Sequence, residues 1–115
     1  MAVTLTHRRY SFRSVHSLTT GERKEQRHGH QYYLEVGFNN CPVQQIDQVV
    51  ETQILNLLDR REINRVLPVS TGEVLVEWVH QRLLDSPIGN CVAVVAVQET
   101  RKNRFVSAKT DARWL

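Results

Sequence analysis

Hydrophobic and polar positions alternate in two different rhythms along this chain. Tyr10, Phe12, Ser14 and His16 recur every second residue, as do Tyr32, Leu34, Val36 and Phe38. A period of two places such residues on one face of an extended strand. The spacing predicts a first strand over Val3–His16 and a second over His28–Phe38, joined by the polar stretch Ser17–Arg27. In the first strand the apolar or ring-bearing positions are odd at Val3, Leu5 and His7 and even from Tyr10 onward. That change of parity near Arg8–Arg9 predicts a bulge.

The rhythm then lengthens. Ile46, Val49, Val50, Ile54, Leu57 and Leu58 recur at three- and four-residue steps and predict a helix over Pro42–Leu58. Arg60–Val69 reads as a connection with room for one short helical turn. Ser70, followed three residues later by Glu73, has the form of a capping box. It predicts a second helix to about Leu84 that buries Leu75, Trp78, Val79 and Leu83. Ser86–Asn90 is a turn, Cys91–Glu99 a third strand and Arg104–Ala108 a short fourth. The order β-β-α-α-β-β implies an α+β fold, a four-stranded antiparallel sheet with two amphipathic helices on one face. Long open sheet edges in so small a protein predict an oligomer that pairs them.

Composition narrows this little. With 115 residues, 41% hydrophobic and 23% charged, and no linker or repeat, residues 1–115 read as a single globular domain. The longest apolar run, Cys91–Val97, is too short to cross a membrane, and no signal peptide pattern opens the chain. Two cysteines without CxxC spacing suit a reducing cytoplasm and argue against a disulfide scaffold or a thiolate zinc site. The net charge of +3 comes with acidic residues interspersed among the basic ones, and no helix carries a basic stripe. Nucleic acid is therefore not an expected partner, whereas a polyanionic small substrate is compatible.

Candidate chemistry lies where the two long strands meet. His28 and His30 stand two apart at the start of the second strand, and His16 ends the first. Three imidazoles are a suitable zinc set that leaves a fourth position for water or substrate. On spacing alone, three ordinary histidines remain an equal alternative.

The motifs around them resemble the 6-pyruvoyltetrahydropterin synthase family, which includes the QueD-type 6-carboxytetrahydropterin synthases. Phe12-Arg13-Ser14-Val15-His16 and His28-Gly29-His30-Gln31-Tyr32 are similar to the family's Phe-x-x-x-His and His-Gly-His-Asn-Tyr. Leu58-Asp59 stands where the family has Leu-Asp-His, Ser70-Thr71-Gly72-Glu73 where it has Thr-Thr-Glu, and Glu99-Thr100 where it has Glu-Thr. The resemblance implies the tunnelling fold, homotrimers usually paired into hexamers, and Zn2+ on His16, His28 and His30. It also implies a pterin held by Glu99 and Thr100, with Thr71 and Glu73 lining its pocket. The usual substrate is 7,8-dihydroneopterin triphosphate. Basic residues including Arg13, Arg23, Lys24 and Arg27 are candidates to meet its phosphates.

Three positions depart from the family pattern. Lys24 stands where many members carry a catalytic Cys, four residues before His28. Glu25 gives Glu-x-x-His-Gly-His, as in the subgroup that releases 6-hydroxymethyl-7,8-dihydropterin, so Glu25 is either the catalytic base or one more loop charge. Arg60 replaces the family His beside Asp59, and a guanidinium cannot relay a proton. Two readings follow: a zinc-dependent pterin lyase whose catalytic residues are Glu25 and Asp59, or a family member that binds zinc and a pterin without turnover. The product, a 6-carboxy- or 6-pyruvoyl-tetrahydropterin or 6-hydroxymethyl-dihydropterin, is left open.

Overall fold

The structure is a computed structural model that describes residues 4–16, 19–20, 23–24, 28–99 and 103–108, without the side chains at 19, 20, 23, 24 and 28. The two alternating stretches form β1 (Thr6–His16) and β4 (His28–Phe38). They pair antiparallel over their full length, from Thr6 opposite Phe38 to His16 opposite His28. Between them, β2 (Thr19–Thr20) and β3 (Arg23–Lys24) form a separate two-stranded ribbon. The register of β1 against β4 is unbroken, so the expected bulge near Arg8–Arg9 is absent; a register shift falls instead between Gly37 and Phe38, against β6. The reason is that the first half of β1 buries neither face. His7 Nδ1 lies 3.0 Å from Glu35 Oε1, and Arg8 meets Asp47, so polar contacts rather than core packing set that segment.

The first helix begins as α1 (Val43–Val50), widens into a π-helical turn at Glu51–Leu55 and ends as α2 (Asn56–Leu58). The π turn adds a residue to the cycle. Val50, Ile54 and Leu58 stay on one buried stripe at four-residue steps through this turn, with Ile46 and Val49 beside them. The helix is tied to β1 from outside: Asp47 accepts hydrogen bonds from Arg8 and, at 2.6 Å, from the Tyr10 hydroxyl.

After Leu58 the chain forms β5 (Arg61–Glu62), which runs parallel to β1 beside Ser14 and Val15, and then a 3-10 turn at Ile63–Arg65. The main sheet therefore has five strands in the order β5-β1-β4-β6-β7, one more than expected. Two residues carry no periodicity that could announce a strand; Arg60 N–H donating to Arg13 O and Ser14 Oγ donating to Arg61 O hold them there.

α3 (Gly72–Leu84) buries Leu75, Val76, Val79, His80 and Leu83 against the sheet, while Trp78 is only half-buried, with Arg82 over its ring. Its N-cap is Thr71, whose Oγ1 accepts from Val74 N–H, and not Ser70. Ser70 is buried and its hydroxyl is used elsewhere, as shown below. Gly72 has a packing role: a Cβ there would lie 2.0 Å from Cε2 of Phe105, so the aromatic ring of the last strand takes the space of a side chain.

β6 (Val92–Gln98) lies between β4 and β7 (Arg104–Ala108), antiparallel to both, and is nearly all buried. Contrary to the expectation from their spacing, Cys41 and Cys91 form a disulfide with Cα atoms 6.0 Å apart. The ends of β4 and β6 meet there, with Asn39 N–H bonded to Cys91 O, and a sequence separation of 50 conceals that proximity. The argument for a reducing compartment from cysteine usage accordingly falls. Among the described residues no helix is long and apolar enough to cross a membrane.

Candidate metal centre

The buried face at the far end of β1 and β4 is built by strand alternation. Phe12, Ser14 and His16 on β1 face the core, as does Tyr32 on β4, with His30 partly buried at the strand's edge of solvent. The Phe12 and Tyr32 rings stack with centroids 5.0 Å apart and form an aromatic floor. The imidazoles of His16 and His30 stand edge-on to Tyr32, and their own centroids are 4.9 Å apart.

β6 ends at Gln98, and the next residue, Glu99, turns its carboxylate into the gap between the imidazoles. Glu99 Oε1 lies 3.4 Å from His16 Nε2 and 3.4 Å from His30 Nε2. These three donor atoms all lie within 4.8 Å of one another. A separation of 3.4 Å is long for a charged hydrogen bond. It suits a shared cation: ligands about 2.1 Å from a tetrahedral zinc are about 3.4 Å from each other. Two imidazoles and a carboxylate are also a common zinc donor set.

Ser70 orients the more buried imidazole. His16 is 5% exposed, and its Nδ1 lies 3.3 Å from Ser70 Oγ. Ser70 in turn is held by Asn64 Nδ2 at 3.3 Å. A hydrogen bond at the second ring nitrogen fixes the tautomer and direction of a metal-binding histidine. The sequence signal at Ser70 pointed to a helix cap; the hydroxyl is spent on His16, and the cap moves to Thr71. Tyr32 adds a buried hydroxyl without a hydrogen-bond partner among the described residues. Burial, with Glu99's charge secondary, pushes its ionisation above the usual phenol range. A neutral donor aimed into this end of the sheet fits a bound oxygen-bearing group.

Of the expected site residues, His16, His30 and Glu99 are brought together. His28 enters only through its backbone, as the register partner of His16; its side chain, like that of Lys24, lies outside the described residues, as do Glu25 and Thr100. Asp59 is exposed and accepts the Arg13 backbone N–H through Oδ1 at 3.0 Å. Thr71 caps α3 one residue after Ser70. Glu73 is exposed and lines a separate recess with Glu77, Arg104 and Phe105.

Comparison with known proteins identifies the fold and the family. No curated protein sequence matches the chain. Among solved structures it is similar to 6-pyruvoyl tetrahydropterin synthase of Caenorhabditis elegans, with a TM-score of 0.82 at 18% identity over 96% of this chain and 98% of the other. It is also similar to the Plasmodium falciparum 6-pyruvoyl tetrahydropterin synthase, with a TM-score of 0.65 at 15% identity over 93% and 99%. At such identities these likenesses speak for the tunnelling fold. The family model for 6-pyruvoyl tetrahydropterin synthase matches residues 5–109, almost the whole chain, and the chain belongs to that family.

Proposed function

We propose that the protein is a zinc-dependent pterin lyase acting on 7,8-dihydroneopterin triphosphate. The observation that carries this reading is the convergence of His16, His30 and Glu99 on one point at the end of β1 and β4. His16 and His30 would hold the ion, with His28 as the third imidazole implied by the family pattern. Bound zinc supplies Lewis-acid polarisation of side-chain oxygens on the substrate. The chain's own residues do the rest. Ser70 keeps His16 in its binding tautomer. Glu99 can accept several hydrogen bonds and so can serve the donor-rich edge of a pterin as well as the metal end. Phe12 and Tyr32 exclude water from beneath the site. Thr100, Thr71 and Glu73 are the remaining pterin contacts that the family pattern implies. Glu25 is the proposed base, since Lys24 and Arg60 stand where the family's Cys and His would be. Asp59, with its carboxylate held by the Arg13 amide, fixes the loop that carries Arg60. Assembly into a homotrimer or hexamer would cover the open edges at β5 and β7, and a cytoplasmic location belongs to this same reading.

Zinc-loaded protein incubated with dihydroneopterin triphosphate and followed by mass spectrometry should yield a pterin with a shortened or rearranged side chain. Glu25→Ala should abolish the product with zinc content unchanged. Substrate binding without product between pH 6 and 9 would mean a pterin-binding protein without turnover.

A further inference from the structure

We propose that Glu99 is a displaceable ligand of the metal centre: its carboxylate holds the position through which an incoming oxygen ligand must enter. The inference rests on the metal-centre reading and deepens it. Glu99 Oε1 lies 3.4 Å from Nε2 of both His16 and His30, the spacing of donors around one shared cation. With His28, the further imidazole that the family pattern implies, the chain offers four ligands. Four protein ligands close a tetrahedral zinc site, whereas a site that works on a substrate keeps one position open. One of the four therefore has to yield before a substrate oxygen can enter.

His30 and Glu99 are both partly open to solvent, at 29% and 20%, so exposure does not decide between them; restraint does. His16 is buried, and Ser70 holds it at Nδ1. His30 lies within the β1–β4 ladder, opposite Ser14, and its ring stands edge-on to those of His16 and Tyr32. Glu99 lies one residue past the last ladder pairs of β6, where Gln98 meets Tyr33 and Arg104. Its N–H reaches Asn103 O at 3.3 Å, a long hydrogen bond. A glutamate side chain also has a longer run of rotatable bonds than a histidine's. Rotation about those bonds lets the carboxylate leave while β6 and both imidazoles stay in place. The bond from the Glu99 oxygen to the ion is exchanged for one from the incoming oxygen, and no proton or electron changes hands. The released carboxylate is then free to accept hydrogen bonds from the same ligand. The Tyr32 hydroxyl, buried and without a hydrogen-bond partner among the described residues, is a donor for the oxygen that takes the place.

Cobalt(II) takes the place of zinc in the test, because its visible absorption reports its ligands. Wild-type protein and Glu99→Gln are loaded with cobalt and titrated with imidazole. Imidazole is a neutral ligand, so a mere change of local charge does not alter its affinity. Glutamine keeps the length of the side chain and so preserves the fold, which an unchanged Tm checks. In Glu99→Gln the absorption bands of the probe-free protein should shift. Imidazole should bind about tenfold more tightly, because it no longer competes with a tethered carboxylate. Unchanged bands and unchanged imidazole affinity in the cobalt-loaded variant overturn the proposal and leave the metal centre standing. Shifted bands with unchanged imidazole affinity would make Glu99 a fixed ligand and overturn it as well. Wild-type protein that takes up no cobalt overturns the metal centre and this inference together.

Discussion

The two faces of the β1–β4 end make opposite uses of the same strands. One face is dry: Phe12, Ser14, His16 and Tyr32 are all buried, and His16 is positioned from both ring nitrogens. The other is wet: Arg13 and Arg60 are exposed around a glycine floor. In the dry face a low dielectric makes each polar contact strong, and an unmade contact costly. Such a face suits a fixed donor set. In the wet face the side chains of Arg13 and Arg60 stay hydrated. A one-residue alternation separates a site that positions atoms from a solvated cationic surface.

The sharpest way to break the comparison is to remove what both faces share. Leu34 is fully buried in the middle of β4. Leu34→Ala should lower stability by about 2–5 kcal/mol. Thermal or urea unfolding would show it, and zinc binding should weaken with it. Unchanged zinc affinity in a destabilised protein would mean that the metal centre does not depend on this core.

A smaller change separates the faces. Ser70→Ala removes the hydroxyl beside His16 Nδ1 and should weaken zinc binding about 10–100-fold. A competitive chelator titration would measure it. The Arg13–Arg60 face should be untouched, because Ser70 does not line its recess. Unchanged zinc affinity would contradict the positioning of His16 by Ser70.

The smallest effect lies outside both faces, at Asp47. Hydrogen bonds from Arg8 and then Tyr10 hold its carboxyl below the usual range. A depressed native pKa means that the native state binds the proton less readily than the unfolded chain. The contribution is therefore full above about pH 3.9 and is lost as pH falls through the lower native value. With the side chain 35% exposed, screening keeps it small. Asp47→Asn should lower Tm by at most about 4 °C at pH 6, and the difference should vanish near pH 2. Zinc binding should not change.

Much of this was legible in the sequence because it rests on period. Alternation placed β1 and β4, and helical spacing placed α1 and α3. His16 and His30 followed from their positions at the strand ends. What escaped has no period. The two residues of β5 join the sheet beside Ser14 and Val15, with Arg60 N–H on Arg13 O just before them, and so short a strand has no pattern of its own. The π turn at Glu51–Leu55 lies inside an apolar stripe of ordinary helical spacing, which does not reveal it. Ser70 looked like a cap because a serine before a helix serves either a backbone N–H or a side chain that arrives from elsewhere, and only the fold brings His16 to it. The same holds for Cys41 and Cys91, whose contact depends on two strand ends meeting. Arg60 was visible as a departure from the family motif, but its place beside Arg13 depends on the strand edge where the two backbones meet.

The most direct test of the metal centre is zinc content measured by mass spectrometry on protein dialysed against trace metal, with circular dichroism as the control for folding. Wild-type protein should hold about one zinc per chain, and His30→Ala should hold almost none while keeping the same spectrum. A folded His30→Ala protein with full zinc occupancy would contradict the assignment of His16, His30 and Glu99 to a metal centre.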